Sequence, residues 1–404
     1  MKGYAWEWKK LGTCWAFLLA LALLLVRAGV SWYSLAPRDS VQNEEQYRAY
    51  CQRLQGPMTP EKRRYLDEEY ERVVLILEAQ SDMESAYKEG KISKEEFEAF
   101  NKQWFYAMDV EQAFRKIYDQ AAYLDGQDGA YAALSAGGTA AGLYGEELSA
   151  REAARFAQRY RDGGPPEFLY DTGWEILLGD GEMDFLLLAS VLVLCLPYLL
   201  LDAGSGMLAP VRASRSGRRG SLLRRLSAAV PLTALFALLS LGVELGIAAL
   251  RLELPSASAP VQSLAAFASC PHAWTLRQYL LWQCGTRLLG AVLLAVWLAV
   301  FSDGLHQPIV LTVAAVLFAL LPVVFRRYLP APVYTAFPGL MLVNGALWNV
   351  PPYDVGRAGL PVGWAALAEN LVLAAAAFSI AFFRRTDRPR KAGRQGQAAA
   401  GQGR

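Results

Sequence analysis

Six apolar runs punctuate this chain. The first, Leu11 to Tyr33, is broken only by Arg27, and a helix of that length covers the roughly 30 Å hydrocarbon layer of a bilayer. Others follow at Phe185 to Leu201, Leu226 to Leu250, Leu288 to Phe301, Ile309 to Phe325 and Trp364 to Phe383. The fourth is short unless it begins near Tyr279 and takes in Arg287, and the fifth is also brief, so five or seven crossings stay open. Pro338 and the pair Pro351-Pro352 interrupt any long helix around Gly339 to Trp348, a stretch that reads as a re-entrant or interfacial piece. The first run leads into Arg27, Trp32 and Tyr33 instead of a small-residue cleavage site. It therefore reads as an uncleaved span, with Arg27 expected to snorkel toward the outer headgroups.

Between the first and second runs the pattern changes to amphipathic helix. Thr59-Pro60 supplies an N-cap and a first-turn proline, after which Leu66, Tyr70, Val73 and Leu77 share a face. Ser81 with Glu84 and Ser93 with Glu96 fit capping boxes, the second leading into Phe97, Phe100, Trp104 and Met108. Phe114, Tyr118, Ala121 and Leu124 continue the stripe, which reads as a packing face. Glycine and alanine between Asp125 and Gly145 predict an irregular connection, and Ser149 with Glu152 starts a short helix that ends before Gly163-Gly164-Pro165-Pro166.

The predicted fold is all-α: a polytopic helical membrane protein of about six transmembrane helices, with a large helical extracytoplasmic insertion between the first and the second. Residues 1–10, with Tyr4, Trp6 and Trp8 among lysines, form a cytoplasmic interfacial helix, and 11–33 the first span. Residues 34–183 are the extracytoplasmic helical domain, 184–202 the second span, 203–225 a cytoplasmic arginine-rich loop, and 226–383 spans three to six. Residues 384–404, rich in Gly, Gln, Ala and Arg toward their end, read as a disordered cytoplasmic tail.

Charge supplies the orientation. The formal charge of the 404 residues is only +2, but residues 34–183 carry 29 acidic and 17 basic side chains, a balance of −12, against +14 elsewhere. Lys2, Lys9 and Lys10, the arginines between the second and third spans, and the basic start of the tail all belong inside by the bias of cytoplasmic loops toward cations. Arg326 and Arg327 disagree and mark the place where a span is most easily miscounted. The cancellation reports topology and points neither to a soluble enzyme nor to nucleic acid. Six arginines in the loop also suit anionic lipid.

Candidate chemistry is sparse. No P-loop is present: Gly90-Lys91 has Ser85 where the first glycine belongs. The histidines His272 and His306 are far apart, and no H-E-x-x-H or C-x-x-C occurs, so no catalytic, cofactor-binding or metal site is expected in this chain. Cys51 and Cys270 both fall on the predicted outer side, where a disulfide is a candidate. Glu244 sits within the third span, where a charge is costly. It is read as facing the bundle or a cavity, with Arg251 as a partner, or as snorkelling outward. Glu369 and Asn370 near the outer end of the last span are open in the same way, and Asp202 either caps the second span or pairs with the arginine loop. None of them makes a nucleophile, base and orienter set.

The combined layout resembles the permease subunit of a bacterial ABC-2 type transporter. The resemblance covers nearly the whole chain and rests also on the segment after the second span: Asp202, the pair Ser205-Gly206, and the stretch from Ser214 to Arg219, with a single aspartate where such permeases have a glutamate-rich beginning. It implies an ATPase-coupling loop comprising Asp202, Ser205, Gly206, Met207, Arg212, Ser214, Arg215, Gly217, Arg218 and Arg219. It further implies a separate ABC ATPase subunit that supplies ATP and Mg chemistry, and a second permease copy or related chain. The cargo would be an amphiphile, peptide or drug, exported across a bacterial cytoplasmic membrane with both termini cytoplasmic. The alternative is a non-transport membrane sensor or scaffold acting through the extracytoplasmic helices. An intramembrane enzyme would have to assemble Glu244, Glu369 and His306 from distant segments.

Overall fold

The computed structural model describes residues 15–36, 41, 43–135, 164–179, 183–204 and 217–383, less 269, 271, 306, 326–327, 329–334, 344, 346 and 350–361. The predicted interfacial helix, the helix at Ser149, coupling-loop residues 205–216, the tail, His306 and the pair Arg326-Arg327 lie outside them. Within them the chain is largely helical. Its helices are α1 (Trp15–Ser34), α2 (Glu44–Leu54), α3 (Pro60–Glu78), α4 (Gln80–Lys88), α5 (Lys94–Ser135), α6 (Thr172–Leu178), α7 (Phe185–Gly204), α8 (Gly217–Arg251), α9 (Leu276–Gly304), α10 (Pro308–Val324) and α11 (Val362–Phe383).

Among the described residues four helices, α1, α8, α9 and α11, are long and apolar enough to cross a membrane, against the six expected. The apolar stretches of the other two, Phe185–Leu201 in α7 and Ile309–Leu321 in α10, are shorter, and stretches of that length cover only about 20 to 25 Å. All six helices share one core. Small residues share it with leucines such as Leu187, Leu294 and Leu298: Ala291, Ala295 and Ala299 form a fully buried stripe on α9, in one cluster with Ala315 and Ala319 of α10 and Ala228 and Ala237 of α8. Other large side chains point outward, with Leu18 and Leu25 on α1 and Leu250 on α8 more than two-thirds exposed. In lipid, small residues let helix backbones approach while leucine meets the tails, so this pattern is the one a membrane bundle requires.

The prolines near residue 340 shape a buried piece. Pro338–Leu342 forms a 3-10 turn with every residue buried, packed between α9 and α10. A Cβ on Gly339 would come within 2.0 Å of the Ala319 carbonyl oxygen, so only glycine permits this approach.

A second, separate core lies in α2, α3 and α5. Leu66 and Val73 of α3 pack with Tyr47, Cys51, Val110, Phe114, Ile117 and Ala121. Asn43, Thr59 and the Ser93–Glu96 box start α2, α3 and α5, the last with Ser93 N to Glu96 Oε2 at 2.8 Å. The other predicted box fails: α4 begins beside Ala79 with no side-chain cap, and Glu84 bonds Lys88 instead. Nor is there an irregular break at Asp125, since α5 runs unbroken for 42 residues through Gly126 and Gly129. Its buried stripe, Ala107, Val110, Ala113, Phe114, Ile117, Ala121 and Leu124, begins later than expected, leaving Phe97, Phe100 and Trp104 half-buried and Met108 exposed.

This core is tied to the loop that precedes α9. Tyr123 Oη donates to the Gln262 carbonyl at 2.7 Å, the Glu167 amide to Ser263 Oγ at 2.8 Å, and Gln55 Nε2 to Ser256 Oγ at 2.6 Å. The candidate disulfide is absent. Cys51 and Cys270 are buried, are not joined by a disulfide and belong to different hydrophobic clusters.

Candidate functional site

Four charged side chains meet inside the bundle. Arg27 comes from α1, Asp184 from the residue before α7, Glu244 from α8 and Arg287 from α9. Arg27 bonds both Asp184 and Glu244, and Arg287 does the same. Arg287 holds Glu244 through two nitrogens, Nη1 at 3.3 Å from Oε1 and Nη2 at 2.8 Å from Oε2. Asp184 also caps a helix. Its Oδ1 accepts the Leu187 amide at 2.9 Å at the start of α7, while its own amide bonds the Leu342 carbonyl at 2.9 Å. All four side chains are at most 14 % exposed.

The helices deliver these groups to one level because they alternate in direction. Arg27 and Glu244 each lie seven residues before the ends of α1 and α8, Arg287 lies eleven after the start of α9, and Asp184 directly precedes α7. At the helical rise this puts the node roughly 10 to 16 Å inside three of the helix ends. Arg224 and Arg225 lie at the other end of α8, roughly 30 Å from Glu244. The cost of burying four charges is offset because two cations face two anions and every carboxylate oxygen accepts at least one hydrogen bond. The node is electrically neutral as a unit, and it will not stay so if one member is lost.

A cleft of about 230 Å³ adjoins the node, lined by Arg27, Asp184, Glu244 and Arg287 together with Ser31, Ser34, Val30, Met183, Phe185 and Leu186. Arg287 Nε is buried and has no hydrogen-bond partner among the described residues.

Of the residues singled out in the sequence, Glu244 belongs to this node, but not with the expected partner. Arg251 instead donates to the Trp32 carbonyl at 2.7 Å and lies over the Trp32 ring, 4.4 Å from its centre. Arg27 does not snorkel; it is 5 % exposed and fully engaged. Asp184 and Arg287 went unassigned. The available signal was position: Arg287 stands at the optional start of the fourth run and Asp184 directly before the second, each a costly charge beside an apolar helix. Glu369 and Asn370 lie elsewhere and brace the loop before α11, with Thr335 Oγ1 donating to Glu369 Oε2 at 2.8 Å and Asn370 Nδ2 to the Thr335 carbonyl at 2.6 Å. Asp202 lies in α7, and Gly217, Arg218 and Arg219 open α8. The structure does not bring Glu244 and Glu369 into one set.

The sequence also concealed an aromatic cluster where α9 and α11 begin. Trp274 stacks on His272 at 4.0 Å and on Trp282 at 5.5 Å, while Trp348 meets Trp274 at 5.1 Å and Trp364 at 5.5 Å. Tryptophans gathered at one end of a membrane bundle suit the headgroup layer, where an apolar ring with a polar N–H is at home.

Among the described residues, no group of three or more His, Cys, Asp or Glu is placed to hold a metal ion. No protein-family model, no curated protein and no solved structure matches this chain. The chemistry the node offers is electrostatic: paired cations and anions, held in a low-dielectric surround, next to a space large enough for a polar group.

Proposed function

We propose that this chain is the membrane permease subunit of an ATP-driven ABC exporter of the ABC-2 type. In this reading α1, α7, α8, α9, α10 and α11 are six spans, with α7 and α10 lying partly within the protein. Residues 34–183 are extracytoplasmic, and both termini and the 203–225 loop face the cytoplasm of a bacterial cell. The residues from Asp202 to Arg219 contact a separate ATPase subunit, and anionic lipid neutralises the remaining arginines.

One observation carries the reading: a neutral node of two cations and two anions, with an adjoining cleft, inside an otherwise apolar bundle. Ionisable groups at membrane depth are costly, and they persist where they line a path or a switch. Here the node links four helices, including α1 and α8, whose other ends lie toward the coupling segment, so a rocking of those helices driven from the cytoplasm would open the cleft. The chain's lack of a phosphate-cradling loop fits a subunit driven by a partner.

Affinity purification of the full chain from its native membranes tests this directly. An ABC ATPase is expected to co-purify, and in reconstituted vesicles its hydrolysis should rise with cargo and drive ATP-dependent flux. Purification without any ATPase, together with no ATP-dependent flux, overturns the proposal. The independent core of α2, α3 and α5 favours the sensor or scaffold reading as the second choice, which predicts a stable partner on those helices and no flux.

A further inference from the structure

The cleft beside the node is built for a particular kind of visitor. Its polar wall is the quartet, with two guanidinium groups and two carboxylates. Its other wall is apolar and turned outward: Val30 of α1 is 48 % exposed and Phe185 of α7 is 62 % exposed. In a bilayer such side chains meet lipid, so the cleft opens sideways between α1 and α7 into the hydrocarbon.

A ligand that brings a net charge to this site disturbs a balanced group in a low-dielectric surround, where a lone charge is expensive. A headgroup carrying one phosphate and one ammonium leaves the sum at zero. It also offers each member of the quartet an opposite partner: the phosphate for Arg27 and Arg287, the ammonium for Asp184 and Glu244. The buried Arg287 Nε, with no partner among the described residues, supplies a donor that the internal pairing leaves over. Arginine's planar fork suits a phosphate in addition to a carboxylate. The tail would lie along Val30, Phe185 and the lipid-facing side of α1.

From these features we infer that the cleft is the headgroup site of a phosphate–ammonium zwitterionic amphiphile, taken laterally from the membrane between α1 and α7. Binding itself is independent of the permease reading; that the bound amphiphile is the cargo rests on it.

The test uses the full chain in detergent micelles and reads binding by native mass spectrometry. Four probes are compared: lysophosphatidylethanolamine, lysophosphatidylglycerol and an alkyltrimethylammonium of equal tail length, and tail-less glycerophosphoethanolamine. The zwitterionic lysolipid is expected to bind about tenfold tighter than the other three. Ser34→Trp, at an exposed position on the cleft lining, should abolish that advantage, whereas Leu25→Trp, a lipid-facing position on the same helix, should preserve it. Gel filtration of both variants checks that each remains folded. Equal binding of the three headgroups, or an unchanged preference in Ser34→Trp, overturns the site. Glycerophosphoethanolamine binding as tightly as the lysolipid overturns lateral entry from the membrane. Loss of preference in a chain that still engages an ATPase rejects the site while leaving the permease reading. Preference retained in a chain that engages none supports the site and counts against the permease.

Discussion

Replacing Glu244 with glutamine leaves the node's shape nearly intact while removing one of its two negative charges. Arg27 and Arg287 would then share Asp184 alone, and one guanidinium would remain buried without compensation. Removing one partner of a buried ion pair costs about 3 to 5 kcal/mol. Glu244 is the most exposed member at 14 %, which argues for the lower part of that range. The same change at an exposed pair would cost under about 1 kcal/mol, so the size of the effect separates a buried node from a snorkelling Arg27. The assay is reversible unfolding of the purified chain in mixed micelles, followed by circular dichroism. It should be run on Glu244→Gln, Arg27→Gln and the two combined. Each single change is expected to destabilise strongly. The double variant restores neutrality with Asp184 and Arg287 still paired, and should lie well above the sum of the singles, with a coupling of up to about 3 kcal/mol. Additive effects, or single changes within about 0.5 kcal/mol of the parent, would refute the node as an energetic unit.

Further expectations concern other parts of the molecule. Gly339→Ala forces a methyl group against the Ala319 carbonyl and should destabilise by about 1 to 3 kcal/mol in thermal unfolding; by contrast Gly126→Ala, in open space on α5, should be neutral or gain up to about 1 kcal/mol. Burial pushes the Cys51 thiol up, so Cys51 stays protonated and should resist alkylation at pH 8 until the chain is denatured, and non-reducing electrophoresis should reveal no Cys51–Cys270 bond. Burial, with its hydrogen bond to Glu44 second, pushes Tyr170 up from 10.0 to about 12. The stability this represents is complete below pH 10 and lost as pH rises toward 12, which spectrophotometric phenolate titration alongside unfolding should register. Phe114→Ala empties a fully buried site between α2, α3 and α5 and should cost about 3 to 5 kcal/mol.

Apolar run length located all six bundle helices, because continuous hydrophobicity is a local property. It misplaced their ends where polar residues extend a helix: α9 starts at Leu276, twelve residues before the expected Leu288, on a Thr275–Gln278 capping box whose letters were readable. Thr59-Pro60 and Ser93-Glu96 were likewise legible because a cap is a contact within four residues. Ser81 with Glu84 carried the same letters and failed, since α4 follows α3 without the extended residue that a side-chain cap requires. α5 continues past Asp125 through its glycines, although the outer core takes up its side chains only as far as Leu124. The node itself was the least visible feature. Hydropathy says that Arg27 is expensive in an apolar run, but whether it escapes to the surface or is met by an anion depends on residues 157 and 217 positions away. The cost of burying Glu244 is legible in the sequence, but its partner is not: Arg251, the nearest cation, bonds the Trp32 carbonyl instead.

The same separations set a timetable for biogenesis. As the chain emerges, the members of the quartet enter in the order Arg27, Asp184, Glu244, Arg287, so the running charge passes through +1, 0, −1 and back to 0. An unmatched charge costs about 2.5 to 3.5 kcal/mol at the centre of an inserting helix by insertion scales, and less toward its ends. Arg27 of α1 therefore gains its first anionic partner only once Asp184 is made, and Glu244 of α8 gains its second cation only once Arg287 arrives. Nascent chains halted between residues 184 and 244, or beyond 287, are electrically closed. Chains halted before 184, or between 244 and 287, leave one charge of the quartet open.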